Sequence, residues 1–104
     1  MAKFLFVYHG GGVPKTEADK AKAMDAWSKW MGGMGSALAD GGHPVSKSST
    51  VNSDGSVSDH GGANPASGYS LVEAANLQAA LAHAKGCPIR AMGGSIEVAE
   101  AMDM

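Results

Sequence analysis

The side chains best suited to chemistry here are four histidines and the few carboxylates that could meet them. Histidine titrates close to neutral pH, and a carboxylate hydrogen-bonded to one ring nitrogen fixes its tautomer and orientation, so a His and Asp pair in a pocket can exchange protons with a bound molecule. Asp59 and His60 are neighbours in the polar stretch 58–68, and His9 closes the first apolar run. These three are the candidates for general acid and base catalysis. Successive residues of an extended chain point to opposite faces, which places Asp59 to orient His9 or His43 rather than His60. A competing reading assigns Asp59 to the loop backbone, His60 to solvent and His9 to packing. His43, Asn64, Tyr69 and Glu97 are the candidates for ligand contact. Asn64 opens a turn, Asn-Pro-Ala-Ser-Gly, that would shape a lid; Tyr69 offers an apolar wall; Glu97, like Glu73, lies on a strand and is read either as reaching the cleft or as an edge or interface charge. The histidines lack H-x-H or H-x3-H spacing and the single cysteine lacks a C-x2-C partner, so neither a metal nor another cofactor is implied. Cys87, beside Pro88 and with no cationic cluster near it, reads as a small buried hydrophobe before a nucleophile.

The elements that must position these groups follow from periodicity. Residues 4–9 alternate apolar side chains on both faces, with Phe4, Phe6 and Tyr8 on one and Leu5, Val7 and His9 on the other, so the strand needs cover on two sides. Gly10-Gly11-Gly12 ends it as a flexible turn, since G-x-G-x-x-G spacing is absent. Thr16 caps a helix whose apolar stripe is Ala23, Met24, Trp27, Trp30, Met31, Met34, Ala37 and Leu38. The tryptophan spacing favours core over a ligand-stacking box. Gly32, Gly33 and Gly35 in the same stretch signal close packing, a kink or early fraying. A break at 40–44 leads to a polar hairpin, arms 47–51 and 56–58, turning at Asp54-Gly55 and lying at a sheet edge or projecting from it. Residues 69–74 form a strand, Asn76 caps a helix to Lys85 with Leu77, Ala80, Leu81 and Ala84 on one face, and 95–99 form the last strand.

This order predicts one α+β domain over residues 1–104: a ferredoxin-like split βαβ, with a four-stranded antiparallel sheet, two helices on one face and an additional polar hairpin. A chain of 104 residues buries only about 60–65% of its unfolded surface. The sheet face away from the helices would stay bare and apolar, so a homodimer through sheet faces is expected. A net charge of −2 gives no footing for a nucleic-acid backbone. The apolar run at the N-terminus is too short for a signal-peptide core or a membrane span, and one cysteine forms no intrachain disulfide, which together point to the cytoplasm.

The opening Lys-Phe-Leu-Phe-Val-Tyr-His-Gly-Gly, the hairpin ending Val57-Ser58-Asp59, the strand Gly68-Tyr69-Ser70-Leu71-Val72-Glu73-Ala74, the helix before Gly86-Cys87-Pro88 and the closing Gly94-Ser95-Ile96-Glu97-Val98 resemble the YCII-related proteins, in particular their DGPF-like branch. The resemblance implies a dimeric α/β barrel with a cleft near the dimer interface. It also implies either a His and Asp pair at work, as proposed for some YCII-like proteins, or chemistry like that of the relative that removes chloride from a chlorinated hydroxyquinol. The Asp-Gly-Pro-Phe signature itself is absent, with Asp59 matching only its first position, and residues 15–38 contain no histidine. Two functional readings result. One is a small-molecule pocket near the dimer interface using His and Asp as acid and base; the other is a non-catalytic dimeric module that binds a metabolite or a protein.

Overall fold

Alternation of large apolar side chains makes the first strand the spine of the molecule. In the computed structural model, which describes residues 1–12 and 14–103, β1 (Ala2–His9) is central in a four-stranded antiparallel sheet. α1 (Glu17–Met34) follows, then a 3-10 turn (Gly35–Ala37) and β2 (Leu38–Asp40). The hairpin β3 (Thr50–Val51) and β4 (Val57–Ser58) forms a separate two-stranded sheet. β5 (Ala66–Ala74), α2 (Leu77–Lys85), a second 3-10 turn (Pro88–Arg90) and β6 (Ser95–Glu100) complete the order. The main sheet runs β2-β5-β1-β6. Opposite β1, Phe4, Phe6 and Tyr8 face Val72, Ser70 and Gly68 of β5, and Glu100, Val98 and Ile96 of β6.

The even-numbered face of β1 carries the core. Phe4, Phe6 and Val72 are fully buried, joined by Ala74, Ala80, Ala84, Cys87 and Ile89, with Ile96 and Val98 packed against them. α2 approaches the sheet through alanines, so Ala80 and Ala84 are buried while Leu77 and Leu81, expected on the same face, stay 42% and 38% exposed. Leu5, Val7 and Leu71 point the other way, lie outside the core cluster and are only half-buried. The molecule measures 42 × 42 × 18 Å with a radius of gyration of 14.9 Å, against about 13 Å for a rounder domain of this length. Eighteen ångströms is the thickness of one sheet and one helix layer.

Capping fits the sequence. Thr16 Oγ1 accepts from the Asp19 N–H at 3.0 Å, and Asn76 Oδ1 accepts from the Ala79 N–H at 2.9 Å. The end of α1 differs. The apolar stripe runs on through Ala37 and Leu38, yet the α-helix stops at Met34 because Gly35 takes a positive φ of 55°. Leu38 instead opens β2, an edge strand paired with Val72, and a bulge before Asp40 shifts the register. The second strand of the main sheet is therefore hidden at the tail of the helical pattern, and the polar hairpin stands apart from that sheet. Among the described residues, no helix is long and apolar enough to cross a membrane.

Candidate functional site

The site is built on Tyr8, the last large residue on the buried face of β1. A phenol on that face needs a partner, and Ser70 of β5 supplies it: Tyr8 Oη donates to Ser70 Oγ at 2.7 Å. Ser70, fully buried, in turn donates to the Gly41 carbonyl at 2.7 Å. A carbonyl can only accept, so the direction of the chain is fixed from Tyr8 through Ser70 to Gly41. This leaves the phenol oxygen with acceptor capacity alone. Gly68, opposite Tyr8, has no side chain to obstruct the ring; a Cβ there would lie 3.2 Å from Tyr8 Cδ2.

Segment 41–45 runs on from β2 along the edge of β5. Tyr69 N–H donates to the His43 carbonyl and Val45 N–H to the Ser67 carbonyl, and Pro44 bridges Gly68. The approach is tightest at Gly42, where φ is +68° and an added Cβ would sit 1.9 Å from the Tyr69 carbonyl oxygen. Gly42 N–H also donates to Asp40 Oδ1 at 2.8 Å, closing the turn.

α1 stands over this floor on aromatic props. The Trp27 ring meets Tyr8 edge-on at 4.9 Å, and Trp30 stacks on Phe6 at 6.4 Å. Trp30 Nε1 donates to the His83 carbonyl at 2.8 Å, tying α1 to α2, whereas the Trp27 indole N–H has no acceptor among the described residues. Of α1 only Met34 is buried, and Trp27, Trp30 and Met31 are half-buried. Between helix and sheet this leaves a cavity of about 960 Å³, at the upper end of the roughly 300–1,000 Å³ typical of small-molecule sites. Tyr8, Trp27, Met31, Ile89 and Met92 line it, Met24 stands at its mouth 72% exposed, and Gly10 to Gly12 and segment 41–45 form its rim.

The residues singled out by sequence are dispersed. Asp59 pairs with Lys47 at 3.0 Å, both side chains well exposed, and no hydrogen bond or ion pair joins Asp59 to a histidine among the described residues. His60 Nδ1 accepts from the Gly62 N–H at 3.0 Å, and its carbonyl accepts from Thr50 Oγ1, so it braces the hairpin loop. Asn64 is exposed nearby. His43 and Tyr69 do come together on the cavity rim, ring centroids 6.3 Å apart. So do His9 and Glu97, with Nε2 3.0 Å from Oε1. His9 Nδ1 lies 3.3 Å from the Pro65 carbonyl. Both ring nitrogens thus face acceptors, which only the protonated ring satisfies in full, and the Glu97 hydrogen bond raises the His9 pKa above its usual value.

Cys87 is buried, and burial pushes its thiol up to about 11, so it is no nucleophile near neutrality. No group of three or more His, Cys, Asp or Glu side chains is placed to hold a metal ion among the described residues. From sequence Tyr8 reads as a strand-face residue needing cover, Trp27 reads as core in preference to a ligand-stacking residue, and Ser70 carries no site role. The available signal was one hydroxyl, Ser70, alternating with Gly68, Val72 and Ala74 on a face that is otherwise apolar. Comparison with protein-family models and with curated proteins finds no match.

Burial pushes the Tyr8 phenol up to about 12, and the hydrogen bond to Ser70 offsets only part of that rise. Between the ordinary value of 10.0 and about 12 the unfolded phenol ionises while the folded one keeps its proton. The stabilisation is therefore complete below that window and lost as pH rises through it. In a Tyr69→Phe background the phenolate absorbance should emerge only near the top of the window, and urea stability should fall across it. Tyr8→Phe should flatten that slope and cost about 1 kcal/mol at neutral pH; a phenol that ionises at its ordinary value contradicts the buried relay.

Proposed function

We propose that this chain is a small-molecule-binding domain of YCII-related, ferredoxin-like character, holding a largely apolar organic molecule between α1 and the sheet. The cavity carries the reading. It has a hydrophobic lining, a size suited to a metabolite, and a buried polar floor whose protons are already committed to the Tyr8, Ser70 and Gly41 relay. A site that offers an acceptor and apolar walls, with its phenol held protonated, suits binding better than proton transfer. The expected ligand has a ring or branched body and an N–H or O–H for the phenol oxygen, or an acceptor for the Trp27 indole.

A second reading rests on His9 and Glu97. This pair has the hydrogen-bonded geometry of an acid and base dyad, and it lies at the end of β1 on the face away from the helices. It becomes a pocket component only if another surface covers that face. A second copy of the chain is the proposed cover, as in a dimeric α/β barrel: Leu5, Val7 and Leu71 give an apolar strip, with Lys3 opposite Glu73 at one end.

The uncharged dye N-phenyl-1-naphthylamine tests the cavity. Its emission should rise on binding and be sensitised by Trp27, and Ala23→Phe, which fills the cavity from α1, should weaken binding about tenfold or more. No binding by the native chain, or equal binding by Ala23→Phe, would sink the reading. For the assembly, light scattering at micromolar concentration should give a dimer for the native chain and a monomer for Val7→Asp. A monomeric native chain contradicts the sheet-to-sheet pairing.

A further inference from the structure

In the lining of this cavity and of the one beside it, lysines outnumber carboxylates. On the other flank of α1 lies a second, shallower cavity of about 930 Å³, lined by Lys15, Lys22 and Lys29 with Asp19 as its one acidic wall residue. The two cavities share Gly11, Gly12, Pro14, Ala23 and Met92 as lining, so they adjoin along the helix and the glycine turn. Lys20 lines the apolar cavity itself and is held only loosely by Glu17, at 3.7 Å. Lys29 is paired with Asp25 at 3.0 Å. Lys15 and Lys22 have no carboxylate within 4.0 Å among the described residues. The chain as a whole carries a net charge of −2 and only eight Lys and Arg residues, yet four of the lysines border these two adjoining cavities. With Glu17 and Asp25 engaging Lys20 and Lys29 and Asp19 on the wall, Lys15 and Lys22 are the cations left to give positive potential beside the apolar chamber.

Resting on the cavity reading above, we infer that the ligand is an amphipathic organic anion. Its apolar body fills the space over Tyr8 beside Trp27, and its carboxylate, sulfonate or phosphate group projects past the glycine turn to Lys15 and Lys22. Lysine suits this task as a flexible point charge that adapts to any of these headgroups. Exposed charges act through water, so their contribution is modest and screened by salt.

A matched dye pair separates this inference from its premise. N-phenyl-1-naphthylamine and 8-anilino-1-naphthalenesulfonate share one aromatic body, and only the second carries an anion. At low salt the sulfonate should bind about tenfold more tightly than the neutral dye, the advantage should shrink to about twofold at high salt, and Lys15→Gln/Lys22→Gln should abolish most of it. Lys47→Gln, outside the lining of both cavities, should leave the ratio unchanged. All three positions are exposed, and circular dichroism with urea midpoints confirms that the variants remain folded. If the neutral dye binds and the sulfonate gains nothing, or if the gain survives loss of Lys15 and Lys22, the anion assignment fails while the cavity stands. If neither dye binds, both fail together.

Discussion

The hydrogen-bond chain from Tyr8 through Ser70 to Gly41 is the constraint on which the candidate site depends. Its members come from β1, β5 and the segment after β2, and Ser70 is fully buried. In a dry interior each polar group left unpaired would cost about 1–3 kcal/mol, so each bond of the relay favours the placement of the next. When it forms, it draws a three-residue edge strand and its following loop against β5, a task that the few ladder bonds of so short a strand do poorly alone. Gly42 permits the approach, since any side chain there would collide with the Tyr69 carbonyl.

The relay also explains why there is a chamber at all. Tyr8 is the last large residue of β1 on the helix side, and the glycines around it, Gly68 across the sheet and Gly41 and Gly42 at the edge, put no side chains on the floor beside it. α1 cannot descend into that space because Trp27 and Trp30 meet Tyr8 and Phe6 first, and Trp30 is anchored to the end of α2. α2, by contrast, presents alanines and packs closely. Large aromatics under one helix and small residues under the other give a sheet that is tightly covered at one end and open at the other. The opening then inherits its charge from the lysines of the first helix and the chain leading into it.

Much of this architecture is legible in the sequence because it is local. The alternation of Phe4, Phe6 and Tyr8, the Thr16 and Asn76 caps, the Asp54-Gly55 turn and the Ile96 and Val98 strand each depend on near neighbours, and each is found. β2 is not legible: Leu38 satisfies helical spacing from Met34, and only the positive φ of Gly35 shows that the pattern has changed period. The site is harder still, because its contacts are long-range. Tyr8 and Ser70 are 62 positions apart, and His9 and Glu97 are 88 apart. Asp59 and His60 draw notice because they are adjacent, yet adjacency on a hairpin loop gives each a separate local partner, Lys47 for one and the Gly62 backbone for the other.

If the chamber is the ligand site, a bound molecule lies between α1 and the sheet, over Tyr8, and not on the opposite sheet face. Chemical-shift mapping by nuclear magnetic resonance tests it directly, with the protein labelled at methyl, indole and tyrosine ring positions and titrated with N-phenyl-1-naphthylamine. The largest perturbations should fall on the Tyr8 ring, the Trp27 indole N–H and the methyls of Met24, Met31 and Met92, while Leu5, Val7 and Leu71 stay still. Perturbations centred on Leu5, Val7 and Leu71, with Tyr8 and Trp27 unmoved, would contradict it.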